Sequence, residues 1–214
     1  MPATIAIPLE EQQHFVMDGV SWGFYEHVLE EAGDRPIRIT YLNGSIEMMA
    51  PLAEHEWAKK AIARLLEALT SELDIPMRAF GSATFRREDR QAGLEPDECY
   101  YLRNEEAVAG MNRFDAAIHP PPDLAVEVDI TSRSIAREPV YAALGVQELW
   151  RFDGHHLSVL ILKIDGLYAA VAKSPSFPFI PLAEFEQFVK RMAVEEQTRI
   201  VREFRKWVVS LPRA

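Results

Sequence analysis

"PPPDLAVEVDI", Pro120 to Ile130, is the stretch on which the fold turns. A short aliphatic run set off by prolines reads as a strand buried on both faces, as in α/β proteins. Yet this one carries Asp123, Glu127 and Asp129. Buried carboxylates are costly unless they are paired or bound to a cation. "GLEPDECYYL", Gly93 to Leu102, repeats the anomaly with Glu95, Asp97 and Glu98 around Pro96. Side chains alternate faces along a strand. Glu95, Asp97 and Cys99 therefore share a face of one strand, and Asp123, Ala125, Glu127 and Asp129 share a face of the other. If the two strands are neighbours, Asp97 and Glu127 meet across them, and two carboxylates at that distance repel unless a cation lies between.

Working outward, a short helix is expected after the second acidic strand, at about 134–144. Three strands follow at 147–152, 156–163 and 167–173, with turns at Asp153-Gly154 and Asp165-Gly166. Before the acidic strands, "PIRITYLNGSIEMMAP" reads as a hairpin around Asn43-Gly44. Glu54 to Leu73 has Trp57, Ala61, Ile62, Leu65, Leu66, Leu69 and Leu73 at helical spacing. Strands are expected at 77–86 and 93–102, and a helical lead-in over 10–31, interrupted near Gly19. From Leu182 the chain reads as helical. Its last stripe, Ile200, Phe204, Trp207, Val208 and Leu211, is a candidate partner-binding face. The division expected is a lead-in over 1–34, a core over 35–180 and a helical extension over 181–214. The order of elements predicts an α/β fold, a mixed sheet flanked by helices.

Composition narrows the function. The chain has 214 residues and a formal net charge of −10, which argues mildly against bulk electrostatic binding of nucleic acid. No apolar run reaches the length of a membrane span, and the N-terminus has no basic, apolar leader. A single cysteine, Cys99, excludes an intrachain disulfide and suits a reducing, cytoplasmic setting.

A hard divalent ion with oxygen ligands is the natural partner of Asp97 and Glu127, because Mg²⁺ uses one or two carboxylates plus waters and substrate phosphate. Metal-assisted phosphodiester hydrolysis needs such an ion and a nearby cation for the developing charge. The first cations after Glu127 are Arg133 and Arg137, and Arg137 lies in the helix that follows the strand. The competing reading is that acids at strand ends cap loops or pair with arginine. Two acidic strands in one chain favour the metal site.

These residues resemble the PD-(D/E)XK nuclease superfamily and, more closely, the Uma-two family of restriction endonucleases. The resemblance runs through "YLNGSIEMMAPLAEHEWAKKAIARLL", "LEPDECYYL", "PPPDLAVEVDITSRS" and "YAALGVQELWRFDG". It implies a restriction-endonuclease-like sheet and cleavage of DNA with Mg²⁺ or Mn²⁺. Asp97 matches the Asp of the PD motif and Glu127 the acid of the (D/E)XK motif. Asp129 stands where the motif has its lysine. Arg137 occupies a place on the following helix where the family often carries one. His55 matches a histidine that recurs in the family, although a helix-start histidine bonded to backbone is an equal reading. Two-strand cleavage suits a homodimer. The alternative is a weakened or inactive nuclease fold serving as a binding or assembly module, which Asp129 and the acidic charge favour.

Other candidates read as bland. Asp123 flanks the site, and Glu47 is read as an exposed hairpin acid in preference to a further acid of the site. His119, His155 and His156 face solvent, Cys99 belongs to the core, and Trp150 and Phe152 belong to the core or a dimer surface rather than to a base-stacking platform. The basic runs Thr84–Gln91 and Arg199–Trp207 are candidate phosphate contacts, with a solvated charged face as the competing reading.

Overall fold

The computed structural model describes residues 14–50, 53–81, 83–130 and 134–212. Its first sheet grows from the hairpin. Strands β1 (His14–Met17), β2 (Arg38–Leu42) and β3 (Ser45–Met49) are antiparallel neighbours, and α1 (Trp22–Ala32) lies between β1 and β2 in the chain. Asn43 and Gly44 both have positive φ, 48° and 90°, the left-handed pair that a tight two-residue hairpin turn requires. Of the lead-in expected to be helical over 10–31 and interrupted near Gly19, the part after Gly19 is the helix α1, while the part before it holds the strand β1, residues 10–13 lying outside the described residues. Gly19 has φ 74°, and Ser21 then caps α1 by accepting from the Phe24 N–H. Trp22 and Tyr25 of α1 pack against Ile39, Tyr41 and Ile46 on one face of the sheet. Tyr25 reaches so close to Gly93 that a Cβ there would sit 2.2 Å from its hydroxyl, so only glycine fits.

The two strands expected at 77–86 and 93–102 are each divided. They become β4 (Arg78–Ala79), β5 (Phe85–Arg87), β6 (Ala92–Leu94) and β7 (Glu98–Tyr101). β5 and β6 complete the first sheet, in the order β1-β3-β2-β6-β5, while β4 and β7 belong to a second. The break at Pro96 has a simple cause, since proline has no N–H to give a ladder. The acidic stretch is thus the hinge by which the chain passes from one sheet to the other.

The second sheet adds β8 (Leu124–Val128), β9 (Glu148–Phe152), β10 (Leu157–Leu162) and β11 (Tyr168–Val171), in the order β11-β10-β9-β8-β7-β4. β8 and β9 are parallel and joined through α3 (Arg137–Leu144), the crossover that a parallel pair requires. The other pairs in this sheet are antiparallel, so the sheet is mixed, as the order of elements predicted.

Each face of this sheet is covered. Leu124, Val126, Val128, Tyr100 and Trp150 pack against α2 (Ala53–Glu72), α4 (Leu182–Arg191) and α5 (Gln197–Ser210). Cys99, Tyr101, Ala125 and Leu149 face the other way, toward Val140, Tyr141 and Leu144 of α3 and Phe85 of β5. The C-terminal stripe is not a free partner face. Ile200, Phe204 and Val208 are buried, with Phe204 edge-on to Phe185 and Phe188 of α4. Each fully buried side chain of this kind contributes about 1.5–3 kcal/mol, so the stripe is consumed by the fold itself. No helix among the described residues is long and apolar enough to cross a membrane.

Candidate active site

The site lies where the two sheets meet, beside the N-termini of α2 and α3. β7 and β8 pair antiparallel with Glu98 opposite Val126 and Cys99 opposite Ala125. Continuing that register by one step sets Asp97 opposite Glu127, both on the α3 side of the sheet. The two carboxylates are 3 % and 2 % exposed. With the ladder stopped by Pro96, the Val128 N–H donates to Asp97 Oδ2 at 2.7 Å instead.

Each acid has a basic neighbour. His55, on the first turn of α2 and 1 % exposed, places Nε2 3.0 Å from Asp97 Oδ2. Its Nδ1 lies 3.6 Å from Glu56 Oε1. Neither contact is an aligned hydrogen bond. Arg137 is the first residue of α3 and is buried. Its Nε stands 3.6 Å from Glu127 Oε1, and its Nη1 donates to Thr40 Oγ1 on β2. A cation at a helix N-terminus opposes the helix dipole, so α3 gains nothing from Arg137 itself and the compensation comes from Glu127. On the other side of Glu127, the Tyr141 hydroxyl donates to Oε2 at 2.5 Å. Burial, with Glu127 and Asp97 nearby, pushes the Tyr141 phenol well above its ordinary range, so it remains a donor.

Glu47 corrects the hairpin reading. It is 1 % exposed, and its Oε1 accepts from the Ser134 N–H at 2.8 Å. Its Oε2 is buried without a hydrogen-bond partner. Glu47 stands opposite Thr40 in the β2–β3 register, so the first sheet faces α3 with both side chains. Sequence reading missed Thr40, Tyr141 and Lys59. Lys59, buried one turn beyond His55, lies 3.5 Å from Glu56 Oε2. Only the four-residue spacings 55–59 and 137–141 could have flagged two of them, since side chains four apart on a helix share a face.

Arg38 ties the segment around Pro96 into this cluster, reaching Glu56 at 3.6 Å and Glu95 at 3.5 Å. Burial raises the Glu95 carboxyl, and Arg38 and Thr84 hold it back. Glu98 faces the other way, toward α2, where burial raises its carboxyl against Lys59 and Lys60.

The remaining candidates separate from the site. Asp123 accepts from the backbone of Leu102 and Asn104 and from the Asn104 side chain, so it fixes the 102–104 turn rather than flanking the site. Asp129 is half-buried just beyond β8, and its N–H donates to Phe152 O. Arg133 lies outside the described residues. His155 and His156 are exposed, and His119 is half-buried with Nδ1 accepting from the Asp115 N–H. Cys99 is core, its thiol pushed up by burial. The basic runs are largely neutralised: Arg86 pairs with Glu26, Arg87 with Asp89, Arg199 with Glu195 and Arg205 with Glu72.

The donor set suits a hard cation. Asp97 and Glu127 offer carboxylate oxygens from adjacent strands, and Glu47 Oε2 is a buried oxygen with no donor. Among the described residues no three of His, Cys, Asp and Glu converge as a ready metal cluster. Mg²⁺ does not require one, because it is commonly held by one or two carboxylates with waters completing the shell.

Comparison with known proteins bears on this geometry. Residues 24–194 match the family Uma2, described as "Putative restriction endonuclease". No curated protein matches the chain. Among solved structures, a similar fold occurs in the crystal structure of "a putative nuclease belonging to DUF820" from Anabaena variabilis ATCC 29413. The TM-score is 0.50 and the identity 15 %, over 86 % of this chain and 98 % of that one.

Proposed function

The chain belongs to the Uma2 family of restriction endonucleases, and from that premise we propose that it is a Mg²⁺- or Mn²⁺-dependent endonuclease hydrolysing phosphodiester bonds in DNA. The observation that carries the reading is the register that sets Asp97 opposite Glu127, both buried, with Arg137 on Glu127. Asp97 and Glu127 would hold the ion, which when bound supplies an activated water and neutralises phosphate charge.

The chain's own groups have distinct parts. Val128 N–H and His55 orient Asp97, as partners behind a metal ligand do. Arg137 cannot act as a base, since a guanidinium does not give up its proton near neutral pH. It can hold a phosphate oxygen through its planar fork and stabilise the charge that develops there. That removes the need for a lysine at position 129. Breaking both strands of a duplex suits two such sites related by a two-fold axis, so a pair of copies belongs to the proposal, and sedimentation with and without DNA measures it.

Nicking of supercoiled plasmid tests the reading. Cleavage is expected with Mg²⁺ or Mn²⁺ and not with EDTA, and Asp97→Ala should abolish it. Metal-independent cleavage, or cleavage undiminished in Asp97→Ala, overturns the assignment. Binding of Mn²⁺ and DNA without cleavage of any form would return the chain to the alternative, a binding module on a nuclease fold.

A further inference from the structure

Tyr141 lies one helical turn beyond Arg137, so α3 presents both side chains from a single face. Both reach the same carboxylate from opposite sides. The Tyr141 hydroxyl donates to Glu127 Oε2 at 2.5 Å, while Arg137 Nε approaches Oε1 at 3.6 Å. Tyr141 is wholly buried, within the apolar cluster that also holds Val140, Leu144, Ala125 and Leu149, which leaves the hydroxyl little freedom to turn elsewhere. A glutamate has three side-chain torsions, the outermost of them broad, so the direction of its carboxylate follows what it bonds.

We propose that Tyr141 is the positioning residue of this site, pinning Glu127 Oε2 so that Oε1 alone is presented to the cation and the substrate. α3 then sets the direction of the acid as well as the charge beside it. The inference rests on the nuclease reading above. A merely structural role is the rival account, since any buried tyrosine hydroxyl needs a partner. The two differ in what they affect. A structural hydroxyl changes the unfolding temperature only, whereas a positioning one changes ion affinity and turnover in protein that is still folded.

Tyr141→Phe removes one oxygen and keeps the ring. In folded protein, calorimetric titration should show Mn²⁺ affinity reduced by about tenfold or more, the usual cost of losing a partner behind a metal ligand. Plasmid nicking should lose kcat with KM for DNA unchanged, because Tyr141 touches Glu127 and not the substrate. In a Glu127→Gln background the same change should cost no further Mn²⁺ affinity. Wild-type affinity and kcat in Tyr141→Phe, with Mn²⁺ binding otherwise intact, overturn the positioning role alone. A wild-type protein that binds no Mn²⁺ overturns both this role and the nuclease reading. Should Tyr141→Phe fail to fold, the infrared carboxylate band that disappears in Glu127→Gln is followed in the intact protein as Mn²⁺ is added. A band that keeps the shift of one strong O–H donor while responding to the ion is expected, and a band that loses that shift, or does not respond to the bound ion, overturns the proposal.

Discussion

The two ends of β8 hold the same chemical group in opposite circumstances. Asp123 and Glu127 lie on one face of one strand, four residues or about 13 Å apart, and both are 2 % exposed. Asp123 is held by three fixed amide donors, Leu102 N at 2.8 Å, Asn104 N at 3.1 Å and Asn104 Nδ2 at 2.8 Å, with the exposed Arg103 guanidinium 3.5 Å away. Glu127 accepts from the Tyr141 hydroxyl and faces a buried guanidinium at 3.6 Å. Glu148 follows the pattern of Asp123, taking Trp150 Nε1, Ser174 Oγ and both donors of Ser176. Burial alone therefore does not distinguish the acids proposed to hold the ion. Amides and hydroxyls that match a carboxylate's lone pairs make it a structural clasp. Glu127 differs in that its guanidinium partner is buried and a second buried acid stands opposite it.

The largest effect should come from removing the acids proposed to hold the ion. Mn²⁺ should raise the Tm of the wild type, since an ion binding only the folded state must stabilise it, and Asp97→Ala or Glu127→Ala should abolish that rise. Cleavage should fall to background. Glu127→Ala also leaves the buried Arg137 guanidinium with Thr40 but without this carboxylate, so some intrinsic stability is lost as well. Undiminished Mn²⁺ stabilisation in both variants would erase the contrast between the ends of the strand.

Arg137→Ala comes next, with about a 100-fold loss of nicking, the usual cost of removing one charge-stabilising donor. Arg137→Lys should fall between. A lysine keeps the charge but cannot span Thr40 and Glu127 with one planar group. Equal nicking by Arg137→Ala and wild type would make the arginine a structural counter-ion and Glu127 a second clasp.

Asp123→Ala sharpens the comparison from the other end. It strands the N–H groups of Leu102 and Asn104, and the expected loss is about 3 kcal/mol. For a chain of this size that is a fall of roughly 6–12 °C in Tm. The Mn²⁺-induced shift measured on the variant should match that of wild type. A lost metal response would mean that the two ends of β8 act as one site.

Much of this was legible in the residues, and the failures share a cause. The Asn43-Gly44 turn, the apolar stripe of α2 and the β8–α3–β9 order are local signals, and the structure follows them. The opposition of Asp97 and Glu127 follows from strand parity once the strands are neighbours. Pro96 was visible, but its effect was not: it divides one expected strand between two sheets, and only the pairing of β6 with β2 shows why. Glu47 looked exposed because a hairpin has an inner and an outer face. Here the outer face meets α3, whose contacts come from residues such as Ser134 and Arg137, nearly a hundred positions away. The stripe on α5 was readable as apolar but not as already occupied by α2 and α4. Periodicity reports that a face is buried and leaves open against what.

The smallest expected effect is at Glu186, a clasp of the Asp123 kind that adds one mobile cation. It accepts from the Leu157 N–H at 2.7 Å and from Lys190 Nζ at 2.6 Å, fastening α4 to the start of β10. Burial would raise its carboxyl, but Lys190 and the Leu157 N–H outweigh that and hold it below its ordinary value of 4.5. An acid held low in the folded protein binds its proton less tightly there than in the unfolded chain. It therefore adds stability above the unfolded value and gives it up as pH falls through the folded one. Glu186→Gln should unfold at a lower temperature than wild type at pH 7, by a few degrees at most, and the difference should close well below pH 4.5. Thermal unfolding of both proteins across that range measures it, with and without Mn²⁺. A gap that persists in acid would assign the contact to packing rather than charge, and a gap that changes with Mn²⁺ would show that saturated acids can still respond to the ion.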